Sequence, residues 1–327
     1  MSDATEMNPL PEQFAGTQPT QVAKRLFHAT RPKFYPASVL PVLAGSAWGY
    51  AASGGFDWGV FVLALFATVC VHAGGNVLND VGDEEIGTDR VNDDRIYPYT
   101  GGSRFIQTGI LSPDSMRRLG IGLLAAAALA GTILLIEKGP MILGFGLAGV
   151  LLAIAYSLGP VKLASIGLGE TAVGVAFGII PVTGAAWLQS GTIDQSVLIF
   201  SLPIALWVTA ILLINEVPDI AADSKAGKRT LPVRFGLGAT SVLYFCLHLG
   251  SVVATGWLAY TGALPVLAPA VPVALLVLAA KAAAGIRTGI ADRARMTSAI
   301  EGTLGIHTIG GIWLTGCALY AGVFGTG

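Results

Sequence analysis

His72–Gln107 reads HAGGNVLNDVGDEEIGTDRVNDDRIYPYTGGSRFIQ and marks the point where an apolar helix runs out into a dense acidic cluster. Ten Asp, Glu or Arg residues fall between Asp80 and Arg104. At helical pitch His72, Asn76, Asn79 and Asp83 follow one another at steps of four, three and four, so a polar stripe descends the helix and ends in a carboxylate. Asn215–Arg229, NEVPDIAADSKAGKR, repeats the arrangement. Asn79, Asp80, Val81 and Asp83 match Asn215, Glu216, Val217 and Asp219 in type and spacing, which predicts two related halves facing one site.

Outward from these stretches the chain is apolar. Only 12% of its residues are charged and its mean hydropathy is +0.68, against about a quarter charged in a soluble globule, so an all-α membrane protein is expected. Cys70, Cys246 and Cys317 lie inside apolar segments without CxxC or metal-ligand spacing, which argues against a disulfide framework or a zinc site. Residues 1–20 are polar and read as a flexible tail, with 21–327 as a single transmembrane domain. Within it, Gln21–Tyr35 mixes Lys24, Arg25, Arg31 and Lys33 with Val22, Leu26, Phe27 and Phe34 and is expected to lie as an amphipathic helix on the bilayer surface.

Nine stretches then approach the length a bilayer needs: Pro36–Gly54, Trp58–Asn79, Leu119–Ile136, Met141–Leu158, Thr171–Leu188, Val197–Asn215, Ala239–Tyr260, Leu264–Ala284 and Gly302–Phe324. With nine spans and a cytoplasmic N-terminus, 18 of the 19 Lys and Arg residues fall on the cytoplasmic side and only Lys138 outside, as basic-residue topology requires. Both acidic stretches then face the cytoplasm, at the ends of spans two and six. That places the chain as a multi-pass protein of the cell's inner membrane.

Those ends are helix C-termini, where the macrodipole disfavours anions, so a compensating cation is expected. Asn215, Asp219 and Asp223 recur at steps of four and are expected on one face, as are Asn79 and Asp83; such converging oxygens suit Mg²⁺. Arg104, Lys162, Lys225, Lys228 and Arg229 stand nearby in sequence, and metal with basic side chains can grip a polyphosphate and stabilise it as a leaving group. The plainer reading is a pair of solvated loops in which Asn and Asp cap and turn the chain. Two matched clusters on one side weigh against it. Gly101-Gly102-Ser103-Arg104 serves either as a turn or as a phosphate cradle. Glu170 reads either as a buried, hydrogen-bonded helix residue or as a substrate contact, with the structural reading favoured. His72 reads as a packed, hydrogen-bonded histidine in preference to a catalyst, and Pro218 is expected to kink the end of span six or free a backbone turn there.

Together these motifs resemble the UbiA superfamily of membrane prenyltransferases. Asn79 and Asp83 are similar to the start of that family's first aspartate-rich motif, and Asn215, Asp219 and Asp223 match the whole of its second. The first departs from the common form: Gly87 stands four after Asp83 and an acid appears at Asp89 instead. This variant, with GGSRFIQTG after it, RPKFYPASVLPVLAG at Arg31, YSLGPVKL at Tyr156 and GLGE at Gly167, resembles the branch that prenylates 1,4-dihydroxy-2-naphthoate. The resemblance implies a bundle of nine transmembrane helices and transfer of a long isoprenyl group from its diphosphate to an aromatic acceptor. It implies Mg²⁺ held by Asp83, Asp219 and Asp223 with Asn79, Asn215 and Asp89, and donor binding by Asn76, Asn79, Asp80, Asn215, Arg104, Lys162, Lys225, Lys228 and Arg229. Prenyl diphosphate, the acceptor and the bilayer are the partners implied, and nucleic acid is not. Another acceptor on the same fold, such as 4-hydroxybenzoate, homogentisate or a lipid alcohol, and more distantly a transporter, are the competing readings.

Overall fold

The computed structural model describes residues 8–86, 94–157 and 162–325. Among these the regular structure is helical, with no strand. In chain order the helices are α1 (Pro19–Ala29), α2 (Pro36–Ser53), α3 (Trp58–Ile86), α4 (Pro113–Lys138), α5 (Met141–Ser157), α6 (Gly169–Gly174), α7 (Ile180–Ser190), α8 (Gln195–Asn215), α9 (Ile220–Lys225), α10 (Leu231–Tyr260), α11 (Ala270–Thr288) and α12 (Arg293–Phe324).

Local chemistry sets the boundaries. Ser112, Asp194 and Asp292 cap α4, α8 and α12 by accepting from the amides of Ser115, Val197 and Arg295 at 3.2, 2.8 and 3.0 Å, satisfying donors that a helix start leaves open. The surface helix ends at Ala29, not Tyr35, because the residue before Pro32 cannot stay helical; Arg31 turns left-handed, with φ 59°. Within the stretch expected to be a tail, Phe14 is buried and sits edge-on to Phe105 and His28, while its neighbours at 11–13 and 15–18 are exposed.

Small residues let the helices close up, as they do where lipid supplies no hydrophobic drive. A Cβ on Gly45 of α2 would stand 2.2 Å from the Val182 carbonyl of α7. Between α6 and α7 the helix loosens into a single π turn, Val175–Ile179, and there Gly178 lies so close to Ala205 of α8 that a Cβ would stand 2.3 Å from its Cα. In this way α2 packs on α7 and α12, α3 on α4, and α8 on α10, with Trp207, Phe200, Ile204 and Tyr244 in the central core. Phe66, Leu129, Leu151, Val253, Val277 and Ile312 face outward, the apolar exterior of a chain solvated by lipid.

The expected spans fall largely on helix; the eighth starts later than expected, since residues 264–269 form turns and α11 begins at Ala270, and Leu158 at the end of the fourth lies outside the described residues. Six helical stretches among the described residues are long and apolar enough to cross a bilayer: Trp58–Glu85, Pro113–Lys138, Gly169–Ser190, Gln195–Asn215, Leu231–Tyr260 and Ala270–Phe324. The last comprises two helices, α11 and α12, which are joined by a 3-10 turn at Gly289–Asp292 and pack on each other; Met141–Tyr156 is a shorter apolar helix among the described residues. The protein is therefore a multi-pass membrane protein. Asp57 and Lys138, 3.1 Å apart, pair where α3 begins and α4 ends. The ends of α3 and α8 lie at the other pole, and there the acidic stretches meet.

Candidate active site

α3 continues past Asn79 to Ile86, so the acids from Asp80 to Glu85 are helical and keep the pitch of the stripe. Asn79 donates to Asp83 one turn on at 2.7 Å. Asn76 instead donates to the Thr30 carbonyl at 3.1 Å and ties α3 to the end of α1. His72 meets the Ser38 hydroxyl at 2.6 Å and packs edge-on to Phe177, deep among the helices. Asp80 is 2% exposed: one oxygen accepts from the Ser103 amide at 2.9 Å, and the other is buried without a protein partner.

The Ser103 contact holds the loop that carries Arg104. Gly101 and Gly102 take φ of 73° and 74°, and Arg104 takes 65°, a left-handed conformation that an arginine adopts only under constraint. Its Nε donates to Asn8 at 3.3 Å, and Arg95 donates to the same side-chain oxygen at 3.0 Å. Arg104 lines a cleft of about 330 Å³ with Glu84, Ile106 and Gln107, where Gln107 donates to Glu84 at 2.9 Å.

The second stretch folds differently. α8 stops at Asn215, tight turns follow through Val217 and Asp219, and α9 begins at Ile220. Pro218 has no amide to continue the ladder and its ring clashes with a helical carbonyl four residues back, so Asn215 and Asp219 do not share a continuous helical face as their spacing predicts. Asp219 and Asp223 consequently open α9 instead of closing α8. Lys228 lies 3.2 Å from Asp223 and its amide donates to the Asp223 carbonyl at 2.9 Å.

The two stretches share one electrostatic field. Burial raises the Asp223 carboxyl above its usual range; Lys228 pulls it down, and Asp83 on α3 pushes it further up. For Lys228, burial pulls the ammonium down, but Asp223 with Asp83 and Asp219 outweighs it and the net shift is upward. Glu216 is held well above the ordinary carboxylate range by burial and by the neighbouring Glu170. Asp83, Asp219, Asp223 and Lys228 are thus brought together, while Lys162, Lys225 and Arg229 stand exposed around them. Asp89 lies outside the described residues.

No three His, Cys, Asp or Glu among the described residues stand close enough to hold a metal ion by themselves. The donors come as pairs on facing elements. Asn215 Oδ1, like the free oxygen of Asp80, is buried with no protein partner, so hard oxygen acceptors remain available for a cation. Sequence reasoning passed over Tyr156 as a site residue, although the last turn of α5 puts its phenol within electrostatic reach of Glu170, Glu216, Asp223 and Asp83. It also missed Asn8, because a polar residue in a polar segment carries no periodic signal.

The fold and the pole define a multi-pass helical membrane protein with two carboxyl-amide motifs and basic loops gathered at one end. The chain belongs to the UbiA prenyltransferase family, whose model matches residues 38–300, and is a prenyltransferase. It is 34% identical to the 1,4-dihydroxy-2-naphthoate octaprenyltransferase of Haemophilus influenzae, over 72% of this chain and 77% of that one. To the Escherichia coli protein of the same name it is 33% identical, over 68% and 72%. A UbiA homolog from Aeropyrum pernix superposes with a TM-score of 0.65 at 18% identity, covering 84% of this chain and 96% of that one. A UbiA homolog from Archaeoglobus fulgidus bound to GPP and Mg²⁺ does so at 0.59 and 14%, covering 89% and 99%. These two establish the fold.

Proposed function

We propose that the protein transfers a long-chain isoprenyl group from its diphosphate to 1,4-dihydroxy-2-naphthoate. The allylic C–O bond breaks, a C–C bond forms at the ring carbon that bears the carboxylate, and CO₂ and diphosphate leave. One observation carries the reading: Asp83 of one motif lies close enough to Asp223 and Lys228 at the other to shift them both. The names of the relatives supply the acceptor, and the Archaeoglobus homolog's bound GPP and Mg²⁺ support the donor and the ion.

Asn79, Asp83, Asn215, Asp219 and Asp223, with Asp89 from the sequence, are the residues that would hold Mg²⁺; when bound, it supplies charge neutralisation of the departing diphosphate. Lys228 is steered by Asp223 to the mouth of the site, and Lys162, Lys225 and Arg229 add positive charge at the rim. Arg104, fixed by its loop, addresses the diphosphate from the α3 side, and Asp80 holds that loop in place through Ser103. Asn76 and Asn79 keep the polar stripe of α3 oriented. The surrounding helices exclude water, which would otherwise quench an allylic cation. A nine-span topology with the N-terminus and this pole in the cytoplasm, in the inner membrane, completes the proposal.

The test is pyrophosphate release and product mass from purified protein given long-chain prenyl diphosphate, Mg²⁺ and either 1,4-dihydroxy-2-naphthoate or 4-hydroxybenzoate. Prenylated naphthol lacking the carboxylate is the expected product. A product formed only from another acceptor would keep the chemistry and overturn the acceptor.

A further inference from the structure

The start of α10 lacks an ordinary cap. The Thr230 side chain accepts no amide bond there, and its hydroxyl is buried without a partner. A helix start in that state leaves donors to be satisfied from elsewhere. Glu170, 1% exposed on α6, does so: its Oε1 accepts from the Leu231 amide at 3.0 Å, and its own carbonyl accepts from the Thr209 hydroxyl of α8 at 3.3 Å.

This bond is one of three that tie the segment from Ser165 to Glu170 to the segment from Arg229 to Arg234. The Arg229 amide donates to the Ser165 carbonyl at 2.8 Å, and the Arg234 guanidinium donates to the Ile166 carbonyl at 3.1 Å. Gly167 lies inside the seam with φ 74°, where a Cβ would stand 3.0 Å from Arg234 Nη1 and 3.1 Å from the Arg229 carbonyl. One connector carries Lys162, whose backbone is held left-handed and whose carbonyl accepts from the Ser165 amide at 2.7 Å. The other carries Lys225, Lys228 and Arg229.

We infer that Glu170 is a positioning residue: by capping α10 it locks the two basic connectors into one unit and sets the spacing at which Lys162 and Lys228 grip a diphosphate. This rests on the prenyl-diphosphate reading above. Lysine side chains are long and flexible, so a fixed backbone separation is what lets two of them meet one small anion without losing affinity to disorder.

Inorganic pyrophosphate with Mg²⁺ is the probe, and its affinity is read from the concentration dependence of Tm for the detergent-solubilised full chain, alongside KM for donor and acceptor. Glu170→Ala is expected to weaken pyrophosphate and raise donor KM by about tenfold, with acceptor KM unchanged. Glu170→Gln keeps an oxygen acceptor for the Leu231 amide and is expected to restore both. Gly167→Ala, which wedges the seam while leaving Glu170 intact, is expected to shift pyrophosphate affinity in the same direction. A residue with only a scaffolding role would lower Tm and the active fraction while leaving pyrophosphate affinity and both KM values as they are. That result, or Glu170→Gln behaving like Glu170→Ala, overturns the inference. If Glu170→Ala does not fold, an unshifted affinity in Gly167→Ala overturns it. Wild-type protein that neither binds pyrophosphate nor turns over prenyl diphosphate overturns the prenyl-transfer reading, and this inference with it.

Discussion

The two acidic stretches share a spacing and adopt different backbones. On α3 the helix runs on through Asn79 and Asp83, and the pair is rigid, closed by its own 2.7 Å hydrogen bond. After α8 the chain breaks at Pro218 and restarts as α9, so Asp223 is turned back against Lys228. A repeated motif thus does two jobs: one copy is a fixed wall of oxygens, and the other joins carboxylates to the cation-bearing loop. Identical spacing in sequence did not mean identical geometry, because one proline decided where the hydrogen-bond ladder ends.

The comparison can be broken most severely at its carboxylates. Asp83→Ala and Asp219→Ala are each predicted to lower kcat/KM by at least about a hundredfold, in the range of losing a group that stabilises developing charge, with Tm little changed. If one variant turned over normally at limiting Mg²⁺, the halves would not share a site. Chelation of divalent ions is predicted to stop turnover and added Mg²⁺ to restore it; activity surviving exhaustive chelation would remove the metal from the mechanism. Pro218→Ala lets α8 continue and would make the second half copy the first. We predict about a tenfold loss of kcat/KM (~1.4 kcal/mol) without loss of folded protein, and full activity there would show that the break is incidental. Lys228→Ala should raise donor KM severalfold, while a change confined to acceptor KM would move Lys228 away from the diphosphate. The smallest effect is expected at Arg104→Ala, a rise of about threefold in donor KM, because Arg95 shares its partner Asn8. An unchanged donor KM would confine Arg104 to holding its loop.

Much of this was legible because apolar length and acid spacing are local properties. The polar stripe from His72 to Asp83 lies on one helix as its steps of four and three predict, and most of the apolar stretches are helical, though the eighth starts in turns and becomes helix only at Ala270. Pro218 was legible as a break, but the direction in which α9 leaves depends on what Asp223 and Lys228 meet in three dimensions. Asp80 shows the same limit: an acid inside an acidic run gives no sign that it is buried and bonded to the Ser103 amide across the fold. Glu170 could be singled out in GLGE, but its partner lies 61 residues on, at the start of α10. The surface helix was overextended because Arg31-Pro32 reads as part of a basic amphipathic run until the backbone of the residue before proline is considered.

The segment from Asn8 to Phe14 bears on how the protein is handled. Asn8 touches Arg95 and Arg104, and Phe14 is wedged beside Phe105, so both lie at the pole that holds the acidic stretches. The far end of α12 lies elsewhere: Gly322 packs against Ala51, near the end of α2 that points away from that pole. An affinity tag or reporter joined directly ahead of Asn8 therefore crowds the loop that carries Arg104, whereas one joined after Gly325 hangs from the opposite face and leaves the cleft open to substrate.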